Sequence, residues 1–322
     1  MGTYGLCFSA IGILLFSTSL ILTESRKLLV IPQDGSPWLA MSSVVEKLSQ
    51  RGHQVVMVVP EVHIQMKKIN NVTVRTFSVP YSKEFMESIV KKTGHDVFTF
   101  RPVLQDVMFM YDRIVNITSF VVGQCESLLQ NDSLIKYLED YKFDAMLNDP
   151  VYPCGEIIAE HLSIPSVSFI RGAFFGADLE ASQSPTPASY VPRFFTMYTD
   201  HMEFSQRVKN FIISYVEQIV SRIFYAPYAH LASNYLQKEV TVMDLFSRAS
   251  IWLLRYDFIF EFPRPVMPNM VFIGGINCVR RKPLTQHQNI STGKLQLWTF
   301  TARLLFGSSG MTMFLNFQDL FC

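Results

Sequence analysis

Lys27-Leu28-Leu29-Val30-Ile31-Pro32, then Gln33-Asp34-Gly35-Ser36-Pro37, then the stretch running on to Pro60 read together as one β-α-β unit. The first six residues are a short apolar run, as expected of a strand covered on both faces. The next five are turn formers. Met41, Val44, Val45 and Leu48 then recur at i, i+3, i+4 and i+7, one face of a helix, with Glu46, Lys47, Gln50 and Arg51 on the other. Ser36 suits the N-cap, Pro37 the first helical position and Gly52 the stop. Val55 to Val59 is a second buried strand.

The same grammar extends outward. Strands are predicted over 72–79, 143–147, 165–170, 250–254 and 271–273. Helices are predicted over 82–92, about 103–139, 155–162 and about 202–224. The last has an apolar face at Val208, Phe211, Ile212, Tyr215, Ile219 and Ile223, which is expected to pack on the sheet. Strands alternating with helices imply an α/β fold with a parallel, doubly wound sheet. Ligands of such sheets bind in the crevice beyond the strand C-termini. The sequence contains no GxGxxG and no GxxxxGK[ST], so no phosphate loop is signalled.

Composition narrows the function. The chain has 322 residues, 28 basic and 27 acidic, for a net charge of +1. Apolar residues make up 49% and charged residues 17%, which excludes a disordered chain. No basic surplus is available to neutralise phosphates, so no nucleic-acid partner is expected. Length alone suggests two domains.

Leu6 to Leu22 is almost entirely apolar or hydroxylic, and Thr23 and Ser25 are small residues placed for cleavage before Arg26. Residues 1–25 read as a secretory signal peptide, with an uncleaved anchor as the alternative. Four Asn-x-Ser/Thr sequons, at Asn71, Asn116, Asn131 and Asn289, suit that route as glycosylation sites. Cys125, Cys154, Cys278 and Cys322 lie far apart. They read as scattered, half-buried thiols rather than a disulfide framework, and no metal-ligand spacing occurs. The tail His287–Cys322 has no helical or strand period, and its uncharged run Leu304–Gln318 is too short to span a bilayer.

Five segments carry a resemblance: Asp34-Gly35-Ser36-Pro37-Trp38-Leu39, Arg51-Gly52-His53-Gln54, Ser189-Tyr190-Val191-Pro192-Arg193, Asp200-His201-Met202 and Pro265 to Cys278, the last followed by Arg281-Lys282-Pro283-Leu284. They resemble the UDP-glucuronosyltransferases, most of all subfamily A of family 1. The match runs from about Lys27 to Gln286. The resemblance implies a GT-B glycosyltransferase, with 26–286 as its Rossmann-like acceptor-binding domain and 287–322 as a divergent tail. The donor domain, the C-terminal transmembrane helix and the basic tail expected of the family are absent from the sequence. The co-substrate implied is UDP-glucuronic acid, with no cofactor and no metal. The place implied is the luminal face of the endoplasmic reticulum. The partners implied are a small lipophilic, xenobiotic-type acceptor and full-length enzymes with which the chain would oligomerise. The helices around 103–130 and 202–224 also resemble membrane-associating parts of the family, although packing on the sheet is preferred for both.

The implied chemistry is inverting displacement at the anomeric carbon, with UDP leaving. A His base in the turn after the first strand usually deprotonates a hydroxyl acceptor, and an Asp orients and charges that His. By resemblance the Asp is Asp149, in Asn148-Asp149-Pro150; read structurally, it caps the next segment. The His position is occupied here by Pro37. Proline cannot act as a base, whereas a neutral amine already presents its lone pair. Amine acceptors are therefore expected to be favoured over hydroxyls. Asp34, Gly35, Ser36 and Trp38 are the acceptor-binding candidates, Trp38 being equally explained by packing. Phe98 to Phe109 and Phe174-Phe175 are candidate pocket walls. Of seven histidines, His63 is the nearest to a substitute base. Two rival readings are a catalytically inactive half that modulates full-length enzymes and a truncated product that misfolds and is cleared.

Overall fold

Parallel strands account for the whole sheet of the computed structural model, which describes residues 25–97, 103–170, 177–193, 196, 198–255, 262 and 264–274. Residues 1–24 of the expected signal peptide (1–25), Phe98, Phe174-Phe175, Cys278, Asn289 and the tail 287–322 lie outside the described residues. The strands are β1 (Lys27–Ile31), β2 (Gln54–Pro60), β3 (Val72–Phe77), β4 (Ala145–Asn148), β5 (Ser166–Ile170), β6 (Ile251–Leu254) and β7 (Met270–Phe272). They lie in the order β3-β2-β1-β4-β5-β6-β7. Chain order therefore reverses between β1 and β4, where Ile31 pairs with Asn148.

The helices are α1 (Ser36–Gln50), α2 (Lys83–Val97), α3 (Val103–Leu129), α4 (Asp132–Tyr141), α5 (Cys154–Leu162), α6 (Ala177–Ser182), α7 (Phe204–Leu236) and α8 (Val242–Ser247). One face of the sheet is covered by α1, whose Trp38, Met41 and Val45 meet Val30, Val55 and Met57. The other face carries a larger core of side chains from α3, α4, α5, the C-terminal half of α7 and α8. Each central strand is thus buried on both sides, which is why β1 and β2 read as unbroken apolar runs.

Four sequence expectations are corrected here. The N-cap of α1 is Gly35 rather than Ser36: its φ of 101° is a backbone shape that glycine adopts without cost. The helix expected over 103–139 is two helices. Asn131 breaks it by accepting from Leu134 N at 3.1 Å, a side-chain cap that starts α4. The thiols Cys125 and Cys154 are joined in a disulfide, tying the last turns of α3 to the first residue of α5 across 29 residues. Spacing along the chain could not foresee this, because their 5.5 Å Cα–Cα approach exists only once both helices lie on the sheet.

The fourth correction concerns α7. It runs to Leu236, through Pro227, and its apolar stripe faces outward. Val208, Phe211, Ile212, Tyr215, Ile219 and Ile223 are all exposed. The buried side of this half is polar: Asn210, Ser214, Glu217 and Ser221. It packs against the irregular segment 184–193, whose backbone needs hydrogen-bond partners. Asn210, 0% exposed, supplies them. It donates to Ala188 O and Val191 O and accepts from Arg193 N. Glu217 lies 3.8 Å from the Arg193 guanidinium.

Candidate functional site

The reversal of strand order between β1 and β4 opens a crevice beyond their C-termini, and the candidate residues converge there. Asp34 to Pro37 form the turn from β1 into α1. Asp149 follows β4 by one residue, and the Ile31–Asn148 register sets it alongside the start of that turn.

Asp34 is the tie that shapes the turn. One carboxylate oxygen accepts from Ile64 N at 2.6 Å, the other from Gln65 N at 3.1 Å and from Gly35 N at 2.9 Å. The loop after β2 is thereby held against the turn after β1. His63 belongs to that loop. Its Nδ1 lies 3.1 Å from Pro60 O, which can only accept, so Nδ1 carries the hydrogen and the neutral ring keeps its lone pair on Nε2.

Pro37 is buried at the first turn of α1. Trp38 is 1% exposed and packed in the core beneath the turn, with Val30 and Met41. Packing, one of the two readings the sequence left open for Trp38, is present in the fold.

Asp149 is 1% exposed. Its Oδ1 accepts from Val151 N at 2.9 Å, and its carbonyl accepts from Tyr152 N. The turn role read from Asn-Asp-Pro is therefore present, and the carboxylate is held rigidly at the strand end.

Beneath it lies a polar lattice that the sequence did not reveal. Glu156, on α5, is buried with Ser168 Oγ donating to its Oε1 at 2.9 Å and Asn148 Nδ2 at 3.3 Å. Burial pushes the Glu156 carboxyl up, against the opposing pull of Ser166, Ser168 and Asn148. Gly155 makes room for this lattice: a Cβ there would lie 2.4 Å from Asn148 Oδ1. The available signal was a Glu inside an otherwise apolar helical stretch, Ile157-Ile158-Ala159 following it.

A cavity of about 740 Å³ opens between α2, α3 and the residues that precede α2. Tyr81, Phe85, Ile89, Phe109 and Phe120 supply apolar walls, with Asp112, Arg113, Asn116 and Gln124 as polar points. Phe109 belongs to the stretch expected to wall a pocket. Tyr81 links this cavity to the crevice. Burial first, and then the Asp34 carboxylate, push its phenol up to about 12. Gln124 Nε2 donates to the Tyr81 hydroxyl at 3.1 Å. Burial, and next Tyr81, push the Tyr152 phenol well up as well.

Of the sequons, Asn71 lies in an exposed turn with φ 60°, Asn116 at the cavity rim, and Asn131 at the cap of α4. Among the described residues no group of His, Cys, Asp and Glu could hold a metal ion. No described helix is long and apolar enough to cross a membrane.

Comparison with known proteins bears on the whole site. Residues 26–292 match the family model described as "UDP-glucoronosyl and UDP-glucosyl transferase". UDP-glucuronosyltransferase 1A1 of Rattus norvegicus is 47% identical over 264 residues, covering 82% of this chain and 49% of that protein. UDP-glucuronosyltransferase 1A6 of Homo sapiens is 44% identical over 260 residues, covering 81% of this chain and 49% of that protein. The chain spans about half the length of the curated relatives it matches.

Proposed function

Because the chain belongs to the UDP-glucuronosyl and UDP-glucosyl transferase family, we propose that it supplies the acceptor side of glucuronic acid transfer from UDP-glucuronic acid, with amines favoured over hydroxyls. The observation that carries this reading is a buried carboxylate, Asp149, at the strand end beside the turn that holds Pro37.

The chemistry follows from those two groups. In a hydroxyl acceptor the oxygen must lose a proton as the C–O bond forms, and Pro37 cannot take it. A neutral amine attacks the anomeric carbon with its own lone pair. The bond to UDP breaks, and UDP departs with the electron pair. Positive charge develops on nitrogen during this step. A fixed carboxylate at Asp149 stabilises that charge, because a preorganised group in a water-poor site needs little reorganisation. An N–H acceptor then releases its proton to water. Donors for the diphosphate come from the half of the relatives that this chain does not span.

The acceptor would lie in the cavity walled by Tyr81, Phe109 and Phe120, whose volume suits a drug-sized lipophilic molecule. The tie between Asp34 and Ile64 and Gln65 fixes the mouth of the site. The work of the fold here is orientation, which alone accounts for a large part of such barriers. Placement on the luminal face of the endoplasmic reticulum, glycosylation at Asn71, Asn116, Asn131 and Asn289, and pairing with full-length relatives complete the proposal.

The test is a chimera of this chain with the donor-binding half of a relative, assayed with an aromatic amine and a phenol. Amine turnover is expected, with phenol turnover weak. Pro37→His should raise phenol turnover by about 10². Unchanged phenol turnover would sink the assignment of that position. Addition of the unaltered chain to a full-length relative reports separately on pairing through a change in turnover.

A further inference from the structure

His63 stands in the loop that follows β2, and the transfer chemistry described above does not use it. Strands β1 and β2 are parallel neighbours. The turn that holds Pro37 and the loop that holds His63 therefore leave the same end of the sheet, about 5 Å apart at strand spacing. The loop is pinned on both sides of the ring. Before it, Glu61 N donates to Phe77 O at 2.9 Å, and Glu61 Oε1 accepts from Ser78 Oγ at 2.8 Å. After it, the amides of Ile64 and Gln65 donate to the Asp34 carboxylate at 2.6 and 3.1 Å. A side chain carried on so fixed a backbone has little orientation left to lose when a substrate arrives.

The ring is prepared for one role. Nδ1 donates to Pro60 O at 3.1 Å, so the neutral ring carries its lone pair on Nε2. Nε2 takes no hydrogen bond among the described residues, and His63 is only partly buried. The other histidines with described side chains are placed differently. His53 lies before β2, at the opposite end of the sheet, against Arg26 N. His161, His201 and His230 face Glu139, Asp200 and Asn234. The cavity between α2 and α3 leads to the same point as His63. Tyr81 lines it, and its phenol feels burial first and then the carboxylate of Asp34, the residue that holds the His63 loop.

We propose that His63 Nε2 is the proton acceptor for hydroxyl substrates in this chain, since Pro37 cannot take a proton. The proposal rests on the reading of cavity and crevice as the acceptor side of glucuronic acid transfer, and extends it to the less favoured, hydroxyl-bearing substrates. As the substrate oxygen bonds to the anomeric carbon, its proton passes to Nε2. The bond to UDP breaks, and UDP departs with the electron pair. The imidazolium keeps its Nδ1–H on Pro60 O and afterwards gives the added proton to water. An amine acceptor bypasses the ring, because its lone pair is free before attack.

The experiment uses the full chain joined to a relative's donor-binding half, with two acceptors of the same shape, 4-aminobiphenyl and 4-phenylphenol. His63→Asn keeps a side-chain N–H for Pro60 O but offers no base. It is expected to lower kcat for 4-phenylphenol about 10²-fold, with KM little changed, and to leave 4-aminobiphenyl turnover unaltered. In His63→Ala, added imidazole should restore part of the phenol turnover. In a Pro37→His background, His63→Asn should cost little, because the turn then carries its own base. A purely structural His63 would move both acceptors together in His63→Asn, or neither, and imidazole would restore nothing; either result overturns the proposal. So would a parent chimera that turns over the amine but no phenol. Absence of amine turnover in the parent chimera would instead overturn the transfer reading, and the proposal with it.

Discussion

Helices α1 and α7 obey opposite rules. Each carries an apolar stripe at helical spacing. In α1 the stripe is buried, with Trp38, Met41 and Val45 against the sheet. In the first half of α7 the stripe is exposed, and Asn210, Ser214, Glu217 and Ser221 are buried. The second half of α7 returns to the common rule, with Phe224, Tyr225, Tyr228 and Ala232 in the core. The difference lies in what each helix meets. A sheet face has its backbone groups paired and offers side chains, so apolar area decides the outcome. The irregular 184–193 segment offers backbone groups that lie outside helix and sheet, such as Ala188 O, Val191 O and Arg193 N, so hydrogen bonding decides it.

Several substitutions can break or sharpen this contrast. The largest effect should come from α1. Trp38→Ala removes a fully buried indole and is expected to cost about 3–5 kcal/mol in urea unfolding. Asn210→Ala in α7 should follow closely, at about 2–4 kcal/mol, because three backbone groups of 188–193 lose their partner. A cost below about 1 kcal/mol there would mean that the polar side does not hold the helix in place. At the other extreme, Ile212→Ser should change stability by no more than about 0.5 kcal/mol, whereas Met41→Ser should cost about 3 kcal/mol. Equal losses at the two positions would erase the comparison.

A smaller, pH-dependent effect comes from Glu156. Its carboxyl is raised in the folded chain, first by burial, so the native state holds the proton more tightly than the unfolded one. The folded state is then favoured most at low pH, and this contribution is lost as pH rises from the ordinary 4.5 through the raised folded value. Glu156→Gln should flatten that part of the stability profile, leaving the loss of stability on the alkaline side shallower than in the parent. An unaltered profile would show that Glu156 does not titrate across that range.

Much of the crevice was legible before any coordinates. The β-α-β unit of 27–60, the parallel sheet and the position of Asp149 at the end of a strand follow from local patterns: apolar runs, helical spacing and Asn-Asp-Pro. These depend on residues close in the chain, so a local reading suffices. Glu156 was passed over because its partners Asn148 and Ser168 come from two different strands. Trp38 sits within a motif that invited a binding role, and only its neighbours Val30 and Met41 show it to be core. The disulfide needed α3 and α5 to be brought together first.

By itself the sequence determined which segments become strands and helices, and that a proline, which cannot ionise, stands in the first turn of α1. Hydrogen-bonding propensity, side-chain shape and apolar spacing are properties of neighbouring residues, and they travel with the chain. Only the tertiary structure decided which way α7 faces. An amphipathic helix specifies two sides but not their destinations. Those are set by the surface it meets, and the 184–193 segment, with its carbonyls in need of donors, drew the polar side of α7 inward and left the apolar side to water.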